Sequence, residues 1–172
     1  MDFEFLVADP RRFDEASIEV CACSIWSDVR PLQGLAGLLD WRLGGRLSAL
    51  LKSGFATGER AETLLLPGKP HVSFDKILVL GLGRRSTFDD DAFRDEITRV
   101  ARALERLRVR RCVLELPGRG SEAIDPERAI SLAWSCVAAS GEHDAWWIVD
   151  TAEARETMAT KAGEERRKAR TL

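Results

Sequence analysis

The chain has 172 residues, 45% of them hydrophobic and 31% charged. That size and mixture suit one domain whose core needs no disulfide or metal staple. A net charge of -2 and a pI near 5.8 exclude a globally basic nucleic-acid binder and leave room only for a local basic patch. No apolar run approaches the ~20 residues that cross a bilayer. The acidic start, Asp2-Phe3-Glu4-Phe5, lacks the basic region of a secretory signal. A cytoplasmic location and no membrane partner are therefore expected.

Phe3-Glu4-Phe5-Leu6-Val7 reads as a first strand, ended by Pro10 and Arg11-Arg12. Ile18-Glu19-Val20-Cys21-Ala22-Cys23 is β-prone and forms a second. Its two cysteines are one residue apart, so they form no Cys-x-x-Cys redox or zinc motif; on a strand they share one face and serve as small core residues. Past Pro31, leucines at 32, 35, 38, 39, 43, 47, 50 and 51 recur at helical spacing and predict one helix over residues 35–52, stopped by Gly54. Gly44-Gly45 inside that pattern costs roughly 1 kcal/mol per glycine, which suggests the close approach of a neighbouring element.

Thr63-Leu64-Leu65-Leu66 is a short strand ended by Pro67-Gly68. Residues 76–83 form a continuous apolar strand suited to a sheet covered on both faces. The acids at 89–91 open a helix whose buried stripe is Phe93, Ile97, Val100, Leu104 and Leu107. Residues 111–116 are another strand, stopped by Pro117-Gly118. Asp125 as N-cap and Pro126 at the first position start a helix with Ile130, Ala133, Trp134 and Val137 inward, closed by Gly141. Ala145-Trp146-Trp147-Ile148-Val149 is a final strand. Strands alternating with helices imply an α/β fold, a three-layer α/β/α sandwich with a mixed, mainly parallel sheet. Residues 1–150 read as the domain. Residues 151–172, dominated by alanine and charge, read as a helical or disordered tail.

Four features are candidate sites. Gly81-Leu82-Gly83 follows a strand and precedes a helix, as a phosphate-binding turn would, and Arg84 stands beside it. Against this, Ser86 occupies the place of the third glycine and the acids at 89–91 would repel phosphate, so a plain strand-end turn is favoured. Gly54 and Gly58 bound a second glycine turn that could line a cleft, although glycines allow tight turns without any ligand. Arg99, Arg102 and Arg106 lie three or four residues apart and form the best basic patch; Glu96 and Glu105 can pair with them. Trp146 and Trp147, adjacent on a strand, must point to opposite faces, so one can enter the core while the other meets a helix or a partner. His71 and His143 are isolated, there is no Gly-x-Ser-x-Gly elbow, and His143 beside Asp144 reads as a loop pair. No nucleophile–base constellation emerges.

Read together, Leu39-Asp40-x-x-Leu43-Gly44-Gly45, Leu50-Leu51, Gly54-Phe55-x-x-Gly58, Glu62-Thr63-Leu64-Leu65-Leu66-Pro67, Leu78-Val79-Leu80-Gly81-Leu82-Gly83 and the helical Arg94 resemble the N-terminal, non-catalytic domain of the leucyl aminopeptidase family. The resemblance covers residues 1–141 and implies a macro-domain-like fold that helps oligomer assembly. It also implies that catalysis belongs to a separate C-terminal domain with two metal ions. That domain's Asn-Thr-Asp-Ala-Glu-Gly-Arg signature cannot occur in a chain without asparagine. No catalytic or metal-binding residue of the family is carried over, and no cofactor is implied. Where the family runs through an aromatic, basic linker into its catalytic half, residues 141–147 here read as a terminal strand and tail, as in a chain that ends there. The expectation is a non-enzymatic assembly or binding module, forming a homo-oligomer or pairing with a separate aminopeptidase catalytic chain. The alternatives are a macro-like domain binding a nucleotide or ADP-ribose, and, least favoured, DNA binding through the arginine face.

Overall fold

The computed structural model describes residues 2–9, 18–138 and 144–170. Among them six strands form one sheet: β1 (Asp2–Val7), β2 (Val20–Ile25), β3 (Thr63–Pro67), β4 (Lys76–Gly81), β5 (Arg111–Leu114) and β6 (Ala145–Asp150). Their order is β1-β6-β5-β2-β4-β3. Every pairing is parallel except that of β3, which runs antiparallel to β4 at one edge. The α-helices among the described residues are α1 (Gly34–Arg42), α2 (Arg46–Lys52), α3 (Asp90–Arg106), α4 (Pro126–Val137) and α5 (Ala152–Arg170).

The period-2 alternation of the central strands sorts their side chains into two cores. Ala22, Leu80, Leu114 and Trp146 face one side, where Phe93, Ile97 and Val100 of α3, Ile130 and Ala133 of α4, and Met158 of α5 cover them. Cys21, Cys23, Val79, Val113 and Val149 face the other, under Leu35, Leu39 and Leu47 of α1 and α2. The result is a three-layer α/β/α sandwich with a mixed, mainly parallel sheet. Asp89 accepts a hydrogen bond from the Ala92 N–H at 2.8 Å to cap α3, and Asp125 accepts from Glu127 and Arg128 to cap α4.

One expectation needs correction, and a second, the helical or disordered tail, is narrowed. The helix over residues 35–52 is two helices. Gly44 and Gly45 have φ of 65° and 81°, left-handed values that end α1 and start α2. No atom would lie within 4 Å of a side chain at either position, so conformation explains these glycines and close packing does not. Asp40 spans the break by accepting from the Ser48 N–H at 3.0 Å. The charged tail is a helix packed on the domain, with Met158 fully buried and Ala154 and Ala162 nearly so. Gly141 and His143 lie outside the described residues.

Candidate functional site

In open, mainly parallel sheets, ligands bind beyond the C-terminal ends of the strands. Here those ends are crossed by three loops: residues 26–33 after β2, 82–89 after β4 and 115–125 after β5. Their polar groups are largely engaged with one another.

Gly58, Gly81 and Gly83 meet at the end of β4. The three N–H groups of the Gly81-Leu82-Gly83 turn donate to the carbonyls of Glu62, Ile25 and Gly58, each at 2.9 Å. The Gly83 carbonyl accepts from the Ser27 N–H. A side chain on Gly81 would collide with the Glu59 carbonyl and lie 2.9 Å from the Gly58 carbonyl carbon. One on Gly58 would lie 2.6 Å from the Trp26 carbonyl oxygen. These glycines therefore permit backbone segments to touch. Glu62 holds the adjoining loop by accepting from the Thr57 and Gly58 N–H groups. Gly54 stands apart as the exposed stop of α2, and Arg84 is exposed.

Beside this junction is a cavity of about 20 Å³, bounded by Ser24, Trp26, Leu32, Glu115 and Ser121 among others. It is water-sized, far below the ~300 Å³ or more of a small-molecule site. Trp26 closes it: the buried indole donates to Ser121 Oγ at 2.9 Å and meets Phe88 edge-on at 5.0 Å.

Three buried charged residues at the ends of β5 and β6 escaped the sequence reading. Glu115 is 6% exposed; its Oε1 accepts from the Leu35 N–H at 2.8 Å and so caps α1. Gly34 and Gly120 make room for the carboxyl: a side chain on Gly120 would lie 2.6 Å from Oε2. Burial pushes the Glu115 pKa up to about 8, the Leu35 bond and Arg119 opposing and Asp150 adding to the rise. Arg119 grips Asp150 through Nε at 2.7 Å and Nη2 at 3.1 Å, and donates to the Ile124 carbonyl at 2.6 Å. The available signal was an acid at 115 inside an apolar strand and another, Asp150, at the end of the last one. Chemically the set is a helix cap and a sealed ion pair, both turned inward. Among the described residues, no three His, Cys, Asp or Glu side chains converge to hold a metal ion. The buried thiols of Cys21, Cys23 and Cys112 are all pushed up by desolvation, which favours the inert protonated form.

The remaining candidates separate. Trp146 is fully buried, stacked on Phe3 at 6.1 Å, which removes it from any external surface. Trp147 faces the opposite side with the Arg111 guanidinium 4.8 Å from its ring, on a strand flanked by β1 and β5. Among the described residues the exposed aromatics are instead Trp41 and Phe55, at 73% and 70%. Arg99, Arg102 and Arg106 do gather, along a groove of about 750 Å³ between α3 and β3.

The architecture is that of macrodomains. A macrodomain from Oceanobacillus iheyensis superimposes with a TM-score of 0.72 at 10% identity, covering 96% of this chain and 93% of that one. Tomato leucine aminopeptidase, as a mutant, superimposes with a TM-score of 0.63 at 16% identity over 94% of this chain and 35% of that chain. At these identities the likeness concerns the fold. The sequence is more specific: residues 26–141 match the N-terminal domain of the cytosol aminopeptidase family, and the chain belongs to that family. A probable cytosol aminopeptidase of Halorhodospira halophila is 37% identical over 113 residues, which are 66% of this chain and 21% of the relative. The chain spans about a fifth of the length of the curated relatives it matches.

Proposed function

We propose that the chain acts as a non-catalytic assembly or binding module of the aminopeptidase family. It would work in the cytoplasm, as a homo-oligomer or beside a separate catalytic chain. The observation that carries this reading is the filled strand-end cleft. Its turn N–H groups are bonded internally, its acids cap a helix or pair with Arg119, and about 20 Å³ is left open beside Trp26; the wider opening of about 520 Å³ lies off the ends of β5 and β6, bounded by Glu122, Asp125 and Thr151. The test has two arms. Purified protein is expected to release no leucine from a chromogenic leucyl substrate, with or without added zinc or manganese. Sedimentation equilibrium is expected to report a defined oligomer, or a monomer that associates with an aminopeptidase catalytic chain. Metal-titratable turnover would overturn the reading.

The macrodomain architecture favours a second reading, binding of a nucleotide or ADP-ribose-type ligand at the same strand ends. Ligand entry would require Trp26 to leave Ser121 and the loops to part. Thermal shift with ADP-ribose separates the two: stabilisation that saturates with ligand supports this second reading, and an unchanged Tm at millimolar ligand dismisses it.

A further inference from the structure

The groove between β3 and α3 combines three properties that one kind of partner satisfies together. The first is a strand edge left unpaired among the described residues. β3 ends the sheet. The Gly81 N–H donates to the Glu62 carbonyl, and the Gly68 N–H to the Asp75 carbonyl. In the antiparallel register Leu64 opposes Val79 and Leu66 opposes Ile77. Bonded pairs alternate along such a ladder, so Leu64 and Leu66 point their backbone groups at β4. Thr63 and Leu65 point theirs outward, and Pro67 ends the edge because it has no N–H.

The second property is an apolar floor. Leu65, 49% exposed, lies beside Leu78, Ala103 and Leu107. The third is charge. Arg99, Arg102 and Arg106 line the α3 wall, against one acid, Asp95. Asp95 is already paired with Arg60 at 2.7 Å. Arg99 lies 3.3 Å from the buried Glu96. Arg102 and Arg106 have no ion-pair partner among the described residues, and both are exposed.

We infer that this groove is a strand-addition site for an extended acidic segment of a partner protein. The segment would pair with the outward backbone groups of Thr63 and Leu65. It would place an apolar side chain on the Leu65–Leu78 floor and present carboxylates to Arg102 and Arg106. A second copy of this chain is a poorer occupant, because two β3 edges meeting about a twofold axis would bring two arginine-lined walls together. Nucleic acid would use the arginines but not the strand edge or the leucines. The inference rests on the reading of the chain as a binding module and names the surface that does the binding.

The test is selection from a display library of random ten-residue peptides on the full chain, followed by fluorescence anisotropy with the enriched peptides. Two variants separate the contributions. Arg102→Glu with Arg106→Glu reverses the wall. Thr63→Pro removes one outward N–H at the first residue of the edge strand and leaves the β4 ladder intact. The expected result is enrichment of peptides with alternating acidic and apolar residues. Both variants should bind them about tenfold or more weakly, with wild-type circular dichroism. No enrichment, enrichment without acidic preference, or unchanged binding by the folded variants would overturn the groove assignment. So would a self-dimer abolished by Thr63→Pro. These outcomes leave the leucine-release assay and the search for a catalytic partner untouched, so the groove can fail while the wider reading stands.

Discussion

Replacing Glu115 by Gln isolates the effect of placing a carboxyl at the floor of the strand-end cleft. The amide oxygen can still accept from the Leu35 N–H, so the cap on α1 survives while the titration disappears. Burial raises the Glu115 pKa from 4.5 to about 8. An acid whose pKa is higher in the folded state stabilises the fold fully below the unfolded pKa, and loses that contribution as pH rises towards the folded one. Between these limits the unfolded chain has released a proton that the native chain retains. Wild-type stability should therefore fall by ~1.4 kcal/mol per pH unit from this group alone, or about 3 kcal/mol between pH 5 and pH 7.5 as an upper bound. Glu96, raised to about 7 by burial against the pull of Arg99, adds in the same direction in both proteins. Urea denaturation at half-unit steps from pH 5 to pH 8 measures the difference. The variant should match wild type near pH 5 and become the more stable of the two as pH rises. Parallel pH profiles would refute the reasoning, as would a variant already much weaker at pH 5, which would mean that the ionised carboxylate is what holds α1.

Other outcomes follow from the same geometry. Gly81→Ala forces a methyl against the Glu59 carbonyl, a backbone atom that cannot swing away, and should lower stability by about 1–3 kcal/mol in thermal melts. Asp150→Asn leaves the Arg119 guanidinium buried without its counter-charge; a loss of about 3–5 kcal/mol is expected, read from the urea midpoint. A loss under ~1 kcal/mol would mean that the pair is solvated as a surface bridge is. Met158→Ala empties a fully buried site beneath α5 and should cost about 2–5 kcal/mol with one cooperative transition. A near-zero effect there would mean that α5 is not part of the cooperative core.

What was legible depended on how local the determining physics is. The stripe on α3 and the Asp89 and Asp125 caps follow from residue spacing and short-range hydrogen bonds, and they stand where the pattern puts them. The split between α1 and α2 was missed because leucine spacing continues through Gly44-Gly45, while two left-handed backbones break the helix regardless of it. The packing of α5 was missed because it needs only Ala154, Met158 and Ala162 on one face, too small a stripe to stand out from charge. Gly58 and Gly81 are 23 positions apart in sequence, and nothing local tells that one backbone rests on the other.

By itself the sequence determined the family, the α/β class and the placement of most elements, because these follow from periodicity, capping and motif order along the chain. It also located three arginines on one helix. Only the tertiary structure decided where those features lie relative to one another. Strand order placed β3 at the edge of the described sheet beside Arg99, Arg102 and Arg106, making a groove from residues that share no motif. It placed Trp146 inside, Trp41 and Phe55 outside, and Glu115 under α1. Sheet order, closed clefts and buried charge all arise from contacts between residues distant in sequence, so chain periodicity carries no record of them.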